Sequence, residues 1–354
     1  MKRWMAWAVA VLAAVAGLAA SGPAGASSSA WYQVLQVNRA GGFSQIAAVS
    51  ETNIWAVGDV WDRNGTILKQ PFIRHYNGTS WMTVTIPGSP RFESDQVSAS
   101  AANNVWVVGL GTSHVAHSVA YRYDGSHWHK IPVPSLTYLQ GIAVLGPKNV
   151  WAFGSSGTIF APHGDVSADV FHWNGTKWRG YNLAKGNLMG ESISASAKSN
   201  VWIAGSLWTG RAYRALVYRW NGTGWHNEGL PLVHTDIPGV SAFSPTNVWV
   251  GWNTTFNSHA LHWDGQHWHT VTVPDNVDAN TMNVVRNGKG GYWFGYAAML
   301  TGNTWANEPF NYDFAAAGLG PMVRIPGTES FLLAATVKNF GSKIQKPTLY
   351  RFDL

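Results

Sequence analysis

The chain has 354 residues, a formal net charge of +6, no cysteine, 38 glycines and 21 tryptophans, and only 12% of its residues are charged. Without cysteine there are no disulfides and no lipid attachment at an N-terminal Cys, so stability must come from packing. The basic residues are scattered, with no run of Lys or Arg, which argues against nucleic acid as a partner. A chain rich in Trp, Gly and Asn-Gly turns suits an all-β protein of many short strands.

Residues 1–26 read as an export signal. Lys2 and Arg3 form a basic start, an apolar stretch runs from about Trp4 to Ala20, and Ala24-Gly-Ala26 is a small-residue cleavage pattern. The apolar run is short and ends in Ser21-Gly-Pro23, which disfavours a membrane anchor, and no later segment is apolar enough to span a bilayer. Cleavage after Ala26 leaves residues 27–354, read as one secreted, extracellular domain with no membrane attachment.

Trp31-Tyr-Gln-Val34 comes next and reads as a lone strand. A repeat then begins. Asn-(Val/Ile)-Trp recurs with its tryptophan at Trp55, Trp106, Trp151, Trp202 and Trp249, at spacings of 51, 45, 51 and 47. A strand of small residues precedes each copy, as in Val97-Ser-Ala-Ser100 and Ile193-Ser-Ala-Ser196. An apolar–basic–aromatic triplet follows: Tyr121-Arg122-Tyr123, Phe171-His172-Trp173, Tyr218-Arg219-Trp220, Leu261-His262-Trp263. Such alternation marks a strand. An Asn-Gly or Asp-Gly turn leads to a last strand beginning with tryptophan, Gly supplying the positive φ. Each repeat is thus four strands, and four-stranded antiparallel units at a period of about 45 residues predict a β-propeller.

Five copies are clear. A sixth is degraded, with Gly291-Tyr-Trp293 for the motif and Gly302-Asn-Thr-Trp305 for the turn. A seventh is partial, with Ser330-Phe331 in the second-strand place and the triplet Tyr350-Arg351-Phe352 at the end. It lacks a fourth strand, and Trp31–Val34 can supply it, closing the ring. Seven blades are expected, and six are the alternative because Trp305–Met322 matches the repeat poorly. The repeated tryptophans then pack between neighbouring sheets, each burying about 150–250 Å².

The Asn-Val-Trp-(Ala/Val)-(Val/Phe)-Gly strands and turns such as Trp173-Asn-Gly-Thr-Lys-Trp178 resemble those of secreted bacterial propellers of the Kelch, galactose-oxidase-like and Asp-box class. In wording they are similar to repeats of secreted actinobacterial proteins of unassigned function. The resemblance spans the mature chain and implies a fold, not an activity. The chain departs from the pattern in several places. A single glycine (Gly58, Gly109, Gly154, Gly205) stands where Kelch repeats carry a pair, and the acidic position of the Asp-box turn is often Asn. Copper oxidases of the galactose-oxidase type need a cysteine cross-linked to tyrosine, so that chemistry is excluded. The arginine cluster and Tyr–Glu pair of Asp-box sialidases have no counterpart that can be placed.

In propellers of this kind, ligands usually sit at one mouth of the central channel, on the loops between strands two and three and those between blades. The former are expected at Asp59–Pro71, Leu110–Ser118, Ser155–Asp169, Ser206–Arg214 and Trp252–Ser258. They carry the non-repeat aromatics Trp61, Phe160, Trp208 and Trp252. Aligning on Asn-x-Trp puts Asp95, Gln140 and Glu191 at one equivalent place on the inner strand, with Asp236 two residues before the equivalent Pro238. These residues can form a polar ring that binds sugar or a cation, or does acid–base work; the alternative is a solvated rim.

The pairs His127/His129 and His267/His269 each lie on one face of a strand, as a zinc site needs. They sit on an outer edge with no third ligand, so no metal and no cofactor is implied. The basic centre of the triplet recurs in all blades but one, which points to a structural role such as stacking on tryptophan. Three Asn-x-Thr triplets, formally glycosylation acceptors, are the hairpin turns themselves.

Two functions follow. One is a monomeric binding module for polysaccharide or a protein surface, with Trp61, Phe92, Tyr138, Gln140, Trp208 and Trp252 as contacts. The other is a glycan-active hydrolase or lyase using two of Asp95, Glu191 and Asp236. Few acids and no known catalytic motif favour binding.

Overall fold

In the computed structural model of this protein, the described residues are 31–62, 64–88, 90–111, 117–134, 137–156, 167–184, 188–208, 211–231, 239–253, 258–274, 283–295, 298–307, 316–338 and 344–354. They contain 28 strands and no helix.

Strand β1 (Tyr32–Gln36) stands apart from its sequence neighbours. The rest fall in fours. Blade 1 is β2 (Gly41–Ser50), β3 (Asn53–Trp61), β4 (Ile67–Tyr76) and β5 (Trp81–Val84). Blade 2 is β6 (Phe92–Ala101), β7 (Asn104–Gly111), β8 (Ser118–Tyr123) and β9 (Trp128–Ile131). Blade 3 is β10 (Thr137–Gly146), β11 (Asn149–Ser156), β12 (Ser167–Trp173) and β13 (Trp178–Ala184). Blade 4 is β14 (Leu188–Ala197), β15 (Asn200–Trp208), β16 (Tyr213–Trp220) and β17 (Trp225–Asn227). Blade 5 is β18 (Gly239–Ser244), β19 (Asn247–Asn253), β20 (Ser258–Trp263) and β21 (Trp268–Val271). Blade 6 is β22 (Val284–Arg286), β23 (Gly291–Phe294), β24 (Ala298–Thr301) and β25 (Thr304–Asn307). Blade 7 is β26 (Ala316–Arg324), β27 (Ser330–Lys338) and β28 (Gln345–Asp353), completed by β1.

All seven sheets are antiparallel and four-stranded, and the last has the order β1-β28-β27-β26. This decides between the expected counts in favour of seven. The poorly matched residues before Met322 form an inner strand after all. Its register shifts between Leu319 and Met322, accommodating Gly320-Pro321, and a bulge is where proline is tolerated in a sheet. The closing strand pairs Tyr32 with Arg351 and Gln36 with Thr348, so it runs slightly later than Trp31–Val34. The Tyr32 hydroxyl donates to Asp353 at 2.7 Å. Arg351 ties the closure down, donating to Asp353 Oδ1 at 2.8 Å, Ser330 Oγ at 3.0 Å and Glu51 Oε1 of blade 1 at 3.1 Å.

The tryptophan repeat is an interblade core. Residues flanking the turn are direct cross-strand partners, such as Trp173 and Trp178. That pair meets the second-strand Trp106 of the preceding blade edge-on, each at 5.9 Å between centroids. The same trio forms from Trp55, Tyr123 and Trp128, from Trp151, Trp220 and Trp225, and from Trp202, Trp263 and Trp268. Such contacts contribute about 0.5–1.5 kcal/mol each beyond area burial.

In blades 1, 2, 4 and 5 the asparagine two residues earlier accepts the indole N–H, at 2.7 Å from Trp55 to Asn53 and 2.9 Å from Trp202 to Asn200, whereas in blade 3 Asn149 Oδ1 meets His172 Nε2 at 2.8 Å and the Trp151 N–H has no partner among the described residues. The triplet's basic residue covers the indole face, as its recurrence suggested. His75 stacks on Trp55 at 4.0 Å, His172 on Trp151 at 4.3 Å, and the Arg219 guanidinium lies 5.5 Å from the Trp202 ring.

In the turns, Asn77, Asn174 and Asn221 each accept two backbone N–H groups and the Thr hydroxyl of the next triplet position. The Asn-Gly-Thr wording is therefore a hydrogen-bonded turn. The Ser-rich inner strands bond to the next blade: Ser98 Oγ accepts from the Val144 N–H at 3.1 Å and Ser194 Oγ from that of Ala242 at 2.9 Å.

Candidate functional site

The polar positions aligned in sequence share a backbone device. On the inner strand of blades 1 to 4 the register slips once at the same level: between Phe43 and Gln45, Ser94 and Gln96, Leu139 and Gly141, and Gly190 and Ser192. The residues skipped are Ser44, Asp95, Gln140 and Glu191. Each is the extra residue of a β-bulge, a feature that re-aims a side chain and interrupts pairing. The single glycines of the repeat face these bulges. A Cβ on Gly58, Gly109 or Gly154 would overlap the carbonyl oxygen of Gly42, Glu93 or Tyr138 on the inner strand. Glycine and polar residue are thus two halves of one motif. Ser44 lies 11 residues before Trp55, as Asp95 does before Trp106, so this fourth member was readable from the same alignment.

The bulges lie toward the start of the inner strands, at the end of the propeller where strand two leads to strand three. Asp95 is mostly buried, and its Oδ2 has no hydrogen-bond partner. Burial, and then the charges of Asp59 and Glu93, push its carboxyl up to about 8, so at neutral pH it holds its proton. In the adjacent blade, Gln140 Oε1 is likewise buried without a partner. Ser44 Oγ turns inward, donating within reach of Ser94 O at 3.2 Å and Val57 O at 3.3 Å. Asp59 and Glu93 were not singled out by the repeat alignment, because neither occupies a bulge position; Glu93 precedes Asp95 by two residues on β6, while Asp59 comes near only through the packing of β3 on β6.

Several expected contacts are corrected or relocated. Phe92 is 0% exposed and stacks on Tyr121 at 5.4 Å, so it packs the blade core and offers no face to a ligand. Trp61 and Tyr138 are half-buried, at the end of β3 and near the start of β10. Trp208 and Trp252 belong to β15 and β19, with backbone partners Tyr213 and His259, and not to loops. In blade 1 the expected loop Asp59–Pro71 is mostly ladder, since Val60 and Leu68 pair across it, with Val60 buried and Leu68 half-buried. Glu191 is placed by its backbone at its bulge. Asp236 and Phe160 lie outside the described residues.

The histidine pairs are engaged locally. His129 Nε2 and His269 Nε2 sit 2.6 Å from Asp124 and Asp264 of their own turns, and these bonds, with the turn N–H groups, hold both carboxyls below the ordinary range. Among the described residues no group of three or more His, Cys, Asp or Glu is placed to hold a metal.

No protein-family model matches the chain, and no curated protein matches it in sequence. Its fold does match solved structures. A Dyadobacter fermentans protein of unknown function shares 12% identity over 92% of this chain and 99% of that one, with a TM-score of 0.53. A Pyrococcus horikoshii acylaminoacyl peptidase gives 9% identity and a TM-score of 0.58 over 89% of this chain, which spans 51% of that longer one. A six-bladed fucose-recognising lectin of Aleuria aurantia gives 12% identity over 86% of this chain and 91% of that one, with a TM-score of 0.45. At such identities the likeness shows the β-propeller fold alone. Among the described residues no helix is long and apolar enough to cross a membrane.

Proposed function

We propose that the chain is a secreted, monomeric binding module that holds a carbohydrate at the bulged end of its channel. One observation carries the reading: Asp95 Oδ2 and Gln140 Oε1, on neighbouring blades at one level, are buried and lack partners. Buried polar atoms are nearly always hydrogen-bonded, so this pair calls for a ligand that supplies both a donor and an acceptor. Protonated Asp95 donates and Gln140 Oε1 accepts, and a sugar hydroxyl does both. Trp61 and Tyr138 supply half-buried aromatic surface at the same end. A protein loop rich in hydroxyls and amides satisfies the same chemistry, and is the other ligand class.

The test is binding of the chain to a broad glycan and polysaccharide array, repeated with Gln140→Ala and Asp95→Asn. A hit weakened by both changes supports the reading. A blank array from folded protein removes the carbohydrate and leaves the protein ligand.

A hydrolase or lyase is the second reading: the raised Asp95 carboxyl holds a proton that a general acid needs, and Asp59 and Glu93 lie close enough to act on it electrostatically. In that case any glycan that binds is also cleaved, and Asp95→Asn stops turnover while leaving binding in place. Glu191 and Asp236 are the further carboxylates to change.

A further inference from the structure

Phe72 pairs with Gly58, and Gly58 with Phe43, so Phe72 lies directly outward from the first bulge. Beyond it the surface of blade 1 opens into a cavity of about 700 Å³. Its walls come from β4, the end of β5 and the connections before β2 and β6. Arg39, Arg74 and Arg91 all face it, and no described carboxylate lines it. None of the three forms an ion pair with a described carboxylate.

Arg74 is half-buried, with its guanidinium 4.7 Å from the centroid of Phe72 and one Nη donating to the Ile73 carbonyl at 3.2 Å. Burial, and then the nearby charge of Arg39, push it below its ordinary value. Arg39 and Arg91 are exposed, but Arg74 is a partly desolvated cation beside a like charge and without a counter-ion among the described residues, a situation that an anion relieves. A guanidinium fork matches a planar carboxylate or a sulfate. Leu68 and Ile86 give the cavity an apolar side, while Thr83 and Thr85 add hydroxyls. The volume falls within the range of small-ligand pockets.

We propose that this cavity binds an acidic saccharide, with its anionic group on the arginines and its ring against the apolar wall. The site shares no residue with the channel-end site, and its existence does not depend on that reading.

The test is calorimetric titration of the full chain with a galacturonate trisaccharide, a sulfated trisaccharide and a neutral galactose trisaccharide, at low salt and at physiological salt. At least one acidic sugar is expected to bind, less tightly at higher salt, while any binding of the neutral one, which belongs to the channel end, should not respond to salt or to the arginine changes. Binding of only the carboxylate or only the sulfate sugar supports the site and assigns its anion. Arg74→Gln should weaken affinity about tenfold or more, the scale of a lost charge-assisted pair. Arg39→Gln, at an exposed position, should weaken it several-fold. No binding of either acidic sugar, or undiminished binding of an acidic sugar by folded Arg39→Gln, overturns the proposal.

Discussion

The imidazole of His75 lies on the indole of Trp55 with ring centroids 4.0 Å apart and planes 18° from parallel. His172 stacks likewise on Trp151, and His262 covers Trp249 at a greater tilt. Burial pushes all three histidines below their ordinary value. The unfolded chain therefore takes up protons that the folded one resists. This contribution to stability is complete above about pH 6.5 and is lost as pH falls below it. Thermal unfolding measured from pH 8 to 5 should show a Tm falling below about pH 6.5, and the triple His→Gln variant should show a shallower fall. An identical slope in the variant would place the acid sensitivity elsewhere.

Asp95 has the opposite sign. Its carboxyl is raised, so its contribution is fully present below the ordinary carboxylate value of about 3.9 and is lost as pH rises through about 8. Asp95→Asn keeps the shape and cannot ionise. The variant should gain stability relative to the native chain as pH rises from 6 to 9, read as a widening Tm difference. A constant difference would mean that Asp95 is already ionised in the fold.

The bulge glycines and the turn glycines should respond differently to alanine. In Gly125, φ is 102° and a Cβ would stand 2.8 Å from that of Asn103. Gly125→Ala should cost about 1–2 kcal/mol, the scale of a left-handed residue. Gly109→Ala drives a methyl into the carbonyl of Glu93, and backbone cannot yield as a flexible side chain does. Denaturant unfolding should show the larger loss for Gly109→Ala, with the blade 2 bulge displaced.

Two interblade trios lack a ring. Leu332, which pairs with Arg351, stands where other blades carry tryptophan, and a cavity of about 470 Å³ opens there beside Tyr76 and Trp81. Leu300 replaces the first aromatic of the hairpin pair in blade 6, and about 460 Å³ opens beside Trp249 and Trp305. Leu332→Trp should raise stability by about 1 kcal/mol, in the range of cavity-filling changes. Trp106→Ala, in a complete trio, should lower it by about 3–5 kcal/mol. Chemical denaturation of both variants checks the pair.

The propeller was legible because its repeat is carried by residues whose local roles do not vary: an indole, the amide that caps it, the base that covers it, and a glycine turn. The seventh blade was harder to read because Ser330, Leu332 and Gly320-Pro321 fill those places with other chemistry that still meets the backbone requirement. Asp95, Gln140 and Glu191 aligned by number alone, yet the reason for their alignment is a bulge, which only the register reveals. Phe92 misled because it adjoins that bulge in sequence, while strand alternation turns it to the opposite, buried side. The arginine cavity was invisible, since Arg39, Arg74 and Arg91 belong to three separate segments with no shared period.

Closure by β1 has a consequence for biosynthesis. Tyr32 and its hydrogen-bond partner Asp353 are 321 positions apart. The ribosome therefore releases β1 long before its partner β28. Six blades can assemble on local hairpin contacts while the first strand waits, and the β1–β28 pairing is the step with very high sequence separation. A transcript cut short before Gln345 yields a ring whose β27 edge is bare, the kind of edge that pairs with neighbours. The seam thus makes the pairing of β1 with β28 a condition of a sealed ring.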